Sequence, residues 1–249
     1  MIIFKYEERE ILTGTSGWMY RHWKGTFYPD GFKGNQLIYY TGEFKTVELN
    51  YSFYRMPGAK AYTGWYEHTP AGFIFAVKMN RYITHLKRLI VDDESETSLR
   101  NFLQDTQGLK EKLGVILIQL HPRQEINPER LENFLSVYTK ITGDLEFKPE
   151  TCIEFRNASW FAESIYEILH KNNISLVFPS TPEFRRLVFT ADFAYIRIHG
   201  YNSWTGGMLK KLKAEIDSYP EKIKRVYVYF NNDYNTYAIY NAREFLTLI

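Results

Sequence analysis

The sequence predicts a TIM-type (β/α)8 barrel folded as a single domain over residues 1–249, and three observations carry that expectation. Short apolar stretches alternate with amphipathic ones along the chain, as units of a parallel strand and its crossover helix do. Eight such strands can be placed, with no Gly-rich dinucleotide fingerprint after the first, which favours a barrel over a doubly wound sheet. A length of 249 residues suits one large α/β core, and no Ser/Gly/Pro-rich linker or low-complexity tract divides it.

The elements follow in order. Glu10–Thr15 is the first strand and leads into a loop holding Ser16 and Trp18. In the second, Phe44–Leu49, Val47 and Leu49 share one face while Thr46, Glu48 and Asn50 share the other. The third, Phe73–Lys78, sets Ile74, Ala76 and Lys78 opposite Phe73, Phe75 and Val77, and a helix is expected over Glu94–Thr106. In the fourth, Val115–Gln119, the phase of Gln119 and His121 opposes that of Ile116, Ile118 and Leu120. Asn127-Pro128 then offers a cap and a first-turn proline for a helix over Pro128–Thr139. The fifth strand, Thr151–Phe155, places Glu154 and Arg156 opposite Ile153 and Phe155, with Cys152 one layer deeper as a packed thiol. Ser159 precedes a helix entry at Trp160-Phe161, and the helix itself covers Ala162–Lys171. The sixth unit is the weakest, with a short strand at Ser175–Phe178 and no clear helix from Pro182 to Val188. In the seventh strand, Phe193–His199, Tyr195, Arg197 and His199 share the face opposite Ile196 and Ile198, and Met208–Tyr219 is helical. The eighth, Arg225–Phe230, sets Tyr229 and Asn231 opposite Val228 and Phe230, and a last helix runs from about Asn235 to Leu248.

With the purely apolar phase turned outward to the helices, the inward polar residue falls at the C-terminal end of the second, third, fourth, fifth, seventh and eighth strands, which is the active-site end of such barrels. A buried Arg197 demands a partner, because an unpaired buried charge costs several kcal/mol. Glu48 and Glu154 are the carboxylates expected to face it. A self-satisfied ionic plug is the competing reading of the same residues; a functional pocket is favoured because an idle buried network adds little stability.

Composition narrows the classes. No apolar run approaches the ~20 residues of a membrane span, and MIIFKYEERE turns charged too early for a signal peptide. One cysteine excludes a disulfide framework, and together these features point to the cytoplasm and to no membrane partner. A net charge of +2 does not by itself imply a polyanion partner. The 20 Tyr, 18 Phe and 5 Trp fit either an aromatic core or stacking platforms for sugars or bases.

Seven blocks of the chain resemble the DUF72 (YecE-like) family. They begin with Gly14-Thr15-Ser16-Gly17-Trp18, with Tyr20, Trp23, Gly25 and Phe27-Tyr28-Pro29. Thr46-Val47-Glu48-Leu49-Asn50 with Ser52-Phe53-Tyr54-Arg55, then Phe75-Ala76-Val77-Lys78 with Ile83-Thr84-His85, form the next two. Gln119-Leu120, Glu154-Phe155-Arg156 with Ser159-Trp160, Arg197-Ile198-His199-Gly200 and Tyr229-Phe230-Asn231-Asn232-Asp233 complete the set. The resemblance implies a TIM-type barrel and implies no reaction. Two departures stand out: His121 replaces an expected proline, and Phe178-Pro179-Ser180 lies where relatives often carry an acidic residue.

The constellation favours an enzyme, a hydrolase or an isomerase, acting on an anionic, phosphate-bearing small molecule or a sugar. Glu48, Lys78, Glu154 and His199 are the candidate catalytic groups, with His199 as general acid or base oriented by Glu48 or Glu154. Arg156 and Arg197 suit oxyanion contacts, and Asn231 an ester or hydroxyl. Ser16, Trp18, Asn50, Tyr54, His85, Gln119, Trp160 and Asn232 complete the expected substrate contacts. Small residues in Ser203–Gly207 suggest a phosphate seat at the next helix N-terminus. Glu48 and Glu154 across the mouth also suit a glycosidase pair. Fold analogy with endonuclease IV-type barrels suggests a metal, but Lys78, Arg156 and Arg197 on the same face would repel a divalent ion. Neither metal nor cofactor is expected. The alternative is a nucleic-acid-binding or phosphodiester-processing protein, for which Arg21, Lys24, Lys33, Arg55, Arg81, Lys87 and Arg88 interleave with aromatics in the first three units.

Overall fold

The computed structural model describes residues 9–249, so the reading of the opening residues as no signal peptide lies outside the described residues. In chain order the elements are β1 (Glu10–Thr15), α1 (Gln36–Thr41), β2 (Thr46–Leu49), α2 (Tyr51–Tyr54), α3 (Ala59–Glu67), β3 (Ile74–Lys78), α4 (Asp93–Thr106) and β4 (Leu113–Gln119). They continue with α5 (Pro128–Gly143), β5 (Glu150–Glu154), α6 (Glu163–Lys171), β6 (Ile174–Pro179), β7 (Phe193–Ile198), α7 (Gly206–Asp217), β8 (Arg225–Phe230) and α8 (Tyr237–Leu246). The strands pair in parallel in the order β1-β8-β7-β6-β5-β4-β3-β2, and a bridge between Ser16 and Glu48 brings the two ends together. The result is a nearly closed (β/α)8 barrel, as the alternation of elements predicts.

The seam between β1 and β2 has its own chemistry. A side chain on Gly14 would stand 2.2 Å from the Thr46 carbonyl oxygen, so only glycine admits this approach. Alongside, the Tyr40 hydroxyl accepts from the Thr15 N–H at 2.9 Å and donates to the Thr46 carbonyl at 3.1 Å. One phenol from α1 thus supplies the bonds that a continuous strand pair would have made.

Strand phase follows the sequence reading. Val47, Phe75, Ile116, Ile153, Ile196 and Val228 pack outward against the helices, while Leu117, Cys152, Tyr195, Tyr227 and Tyr229 fill the interior. Asn127 caps α5, its side chain accepting from Arg130 N–H. One local expectation fails. Ser159 caps no helix: Asn157 caps a single turn over Ala158–Trp160, and the Ser159 hydroxyl instead accepts from Ile126 N–H at 2.9 Å. Between β6 and β7 the only helical segment is the single turn Pro182–Phe184, in keeping with the absence of a clear helical pattern in that stretch.

Candidate active site

Three buried charges close the top of the barrel. Arg197, one residue from the end of β7, is 1% exposed and faces both Glu48 of β2 and Glu154 of β5. Its Nε and Nη2 donate to Glu48 Oε2 and Oε1 at 2.8 and 2.7 Å, and its Nη1 donates to Glu154 Oε2 at 2.5 Å. Glu48 also accepts from Ser16 Oγ (2.6 Å), Tyr195 Oη (2.8 Å) and Asn50 Nδ2 (3.3 Å). Burial works against ionisation of both carboxylates, but the Arg197 guanidinium outweighs it and holds each below the usual carboxylate range.

The polar network continues upward toward solvent. Arg156 Nη2 lies 2.7 Å from Glu154 Oε1 and 3.1 Å from His199 Nε2. The Asn231 amide nitrogen stands 3.2 Å from Nδ1, and Nε2 also lies 3.4 Å from Glu154 Oε1, so the ring meets an N–H donor on each side and a carboxylate oxygen at Nε2. Burial pushes the His199 imidazole below its ordinary value, so it is neutral at pH 7. Ser180 fixes the backbone of this residue, accepting from the His199 N–H at 2.7 Å and donating to its carbonyl at 3.1 Å. Asn50 Oδ1 and Arg156 Nε are buried there without a hydrogen-bond partner.

Lys78 ends β3 on the same inward face, 8% exposed, with its Nζ 4.0 Å from the centre of the Phe53 ring. His85 packs edge-on against Phe53 and His121 and accepts or donates at Nδ1 to Thr84. Burial, with the Lys78 and His121 charges, brings the His85 imidazole down to about 4.

The remaining expected contacts divide. Trp18, Asn50 and Tyr54 line a cleft of about 790 Å³ beside the ion cluster, together with Tyr20, Tyr51 and Trp65. Gln119 points inward at the end of β4, in register with Glu154. Trp160 does not reach the mouth: it is fully buried on the outer side of the barrel, stacked on Phe155, with its indole N–H donated to the Gln124 carbonyl. Asn232 is likewise buried, on the outward phase of β8, tying the Asn202 carbonyl to Asn241. Arg197 has each of its three nitrogens committed to carboxylates, so it anchors the cluster and is no free contact for a substrate anion. The Ser203–Gly207 turn is also occupied: Thr205 caps α7, and Glu244 Oε1 lies 2.7 Å from where a Gly206 side chain would begin. A carboxylate already takes up that positive helix end.

Cys152 lies fully buried in the barrel interior, and burial pushes its thiol up. Among the described residues no group of three or more His, Cys, Asp or Glu side chains is arranged to hold a metal, and His121 instead accepts from Arg123 N–H. Sequence reasoning did not assign Ser180 and Tyr195 a role at the site. Tyr195 shares the inward phase of Arg197 and was findable on that ground; Ser180 meets His199 only through the pairing of β6 with β7.

Charge is distributed unevenly around this centre. Excluding the β6–β7 crossover, the loops that follow the strands carry nine Lys and Arg against four Asp and Glu, whereas the whole chain is only +2. The mouth is therefore the basic end of the molecule. Large apolar side chains are exposed there too, among them Met19, Tyr51, Tyr54, Tyr201 and Tyr234. No helix among the described residues is long and apolar enough to cross a membrane.

The chain is similar to known proteins over nearly its whole length. The family model described as "Protein of unknown function DUF72" matches residues 12–249. The UPF0759 protein YunF of Bacillus subtilis (strain 168) is 25% identical, the match covering 96% of this chain and 94% of that protein. The crystal structure of a DUF72 family protein from Thermotoga maritima MSB8 superimposes with a TM-score of 0.80 at 26% identity, covering 96% of this chain and 98% of that one. A DUF72 family protein from Enterococcus faecalis V583 gives a TM-score of 0.76 at 20% identity over 97% of this chain and 98% of its own, a likeness of fold alone.

Proposed function

We propose that this chain, which belongs to the DUF72 family, is an enzyme that binds a small anionic, phosphate-bearing substrate at the C-terminal mouth of its barrel. The observation that carries the reading is the charge segregation: an excess of five cationic side chains on the mouth loops of a chain whose total is +2. Such a basic face concentrates anions before any specific contact forms. Arg156 is the contact, because its side chain is 23% exposed while Arg197 is sealed beneath it. His199, neutral and hydrogen-bonded to Arg156, is the proton carrier, held in place by Ser180 and Asn231. The Glu48–Arg197–Glu154 cluster beneath them positions Arg156 and keeps both carboxylates ionised, which makes Glu154 a poor general acid and argues against a glycosidase pair.

The test is calorimetric titration with inorganic phosphate at several salt concentrations. Wild-type protein is expected to bind, and Arg156→Ala to bind about 10- to 100-fold more weakly, the loss of a charge-assisted hydrogen bond. Equal binding by the variant, or no binding by the wild type, sinks the reading.

A second reading, single-stranded nucleic acid laid across the same face, draws on the exposed Tyr51, Tyr54, Tyr201 and Tyr234 among the basic loops. It requires oligonucleotide affinity that falls steeply with salt. Binding that is absent or insensitive to salt removes it.

A further inference from the structure

We propose that Lys78 is an imine-forming nucleophile, so that the substrate of this site is an anionic aldehyde or ketone. This rests on the reading of the mouth as an anion site and narrows the substrate class.

The geometry is that of an amine kept from its usual partners. Lys78 ends β3 facing the barrel axis, where Glu48 and Glu154 are the nearest carboxylates of the cluster; both turn their oxygens to Arg197 and Arg156 instead. Among the described residues no hydrogen-bond acceptor or carboxylate reaches Nζ. Nζ is not one of the sealed polar atoms, so the amine keeps some solvent exposure although the residue is only 8% exposed. The face of Phe53 at 4.0 Å forms an apolar wall on one side. Ser52, next to Phe53, donates to the Lys78 carbonyl at 2.7 Å and clamps the strand end. Burial first, and then the Arg197 charge, bring the ammonium down to about 7, with Glu48 and Glu154 opposing and Arg156 adding to the shift. These are the two devices, desolvation and a neighbouring cation, that turn a lysine into a nucleophile at neutral pH.

The step balances without a redox partner. The Nζ lone pair of the neutral amine forms a C–N bond to the carbonyl carbon and the C=O π pair moves to oxygen; the proton then shed by nitrogen passes to that oxygen, which gives a carbinolamine with the nitrogen lone pair restored. The C–O bond then breaks, oxygen leaves as water with a second proton, and the nitrogen lone pair closes the C=N bond. The resulting iminium carries the charge the ammonium would have had, so the ionised Glu48 and Glu154 and the Phe53 ring face stabilise it in turn.

The experiment incubates the native protein with glyceraldehyde 3-phosphate and sodium cyanoborohydride at pH 7 and maps the reduced adducts by peptide mass spectrometry. Lys78 is expected to be modified at least about tenfold faster than any other lysine, since half its amines are unprotonated at a pH where surface lysines are almost wholly charged. Adducts confined to surface lysines, with Lys78 untouched, overturn the proposal. Lys78→Met should abolish the fast adduct. Should that variant not fold, competitive acetylation of the wild-type protein decides: the Lys78 rate should level off above about pH 7. A Lys78 rate that keeps rising beyond pH 9 with the surface lysines would refute it. Two further outcomes separate this proposal from its premise. Phosphate binding by calorimetry with no Lys78 adduct refutes the imine and leaves the anion site. A Lys78 adduct formed equally fast with unphosphorylated glyceraldehyde, and not slowed by inorganic phosphate, supports the imine and removes the anion reading.

Discussion

Replacing Arg197 with methionine should reverse the way stability depends on pH. In the wild type Glu48 and Glu154 are fully buried, and Arg197 contributes three hydrogen bonds to them. Their acidities are depressed in the folded state, so each adds stability that is present above the unfolded carboxylate value and is lost as pH falls through the folded one. Arg197→Met keeps the volume but strands two buried carboxylates, Glu48 the more so because Glu154 retains Arg156. Removing one partner of a buried ion pair costs ~3–5 kcal/mol, which for a domain of this size is about 6–20 °C in Tm. In the variant the stranded carboxylates have folded acidities above the unfolded value. They are best tolerated protonated, and stability is lost as pH rises. Thermal unfolding followed by circular dichroism from pH 4.5 to 8 should therefore show the variant closest to wild type at the acid end and furthest from it at pH 8. A variant within about 2 °C of wild type at pH 7, or a deficit independent of pH, would refute the assignment of Arg197 as the charge anchor of the barrel. The double change Glu48→Gln/Arg197→Met should recover part of the loss, because the amide buries without a charge.

Two further outcomes follow from the geometry. Tyr40→Phe removes the hydroxyl that bridges Thr15 and Thr46 and leaves a buried N–H and C=O unmet, so the urea midpoint should fall by an amount equivalent to ~1–3 kcal/mol. An unchanged midpoint would mean that water or strand movement closes the seam. Cys152, buried and with its thiol acidity pushed up, should resist a disulfide reagent in the native protein and react fully once unfolded; stoichiometric native labelling would contradict its packing.

Much of the architecture is legible because it depends on short-range periodicity. Alternation along β2, β5 and β7 places Glu48, Glu154 and Arg197 on the interior, and the parallel barrel brings three distant segments to one end. Trp160 shows where this reasoning stops. Its neighbour Arg156 turns inward, but the chain leaves strand geometry at Asn157, and the period that ordered the strand no longer says where an indole points. Asn232 fails for the opposite reason: one residue past the inward Asn231, alternation itself turns it outward, where it meets Asn241.

The chain's own pattern determined the fold class, the strand phase and the set of charges at the mouth, since each rests on alternation that needs no knowledge of partners. Only the folded barrel decided which of those charges remain available. Arg156, Arg197 and Lys78 read alike in one dimension, as inward cations at strand ends. In three dimensions two carboxylates commit every nitrogen of Arg197, engage Arg156 in part and leave Lys78 unpaired. A side chain's period follows from its neighbours in sequence; its charge state and freedom follow from distances across the barrel, which pairing order and closure alone set.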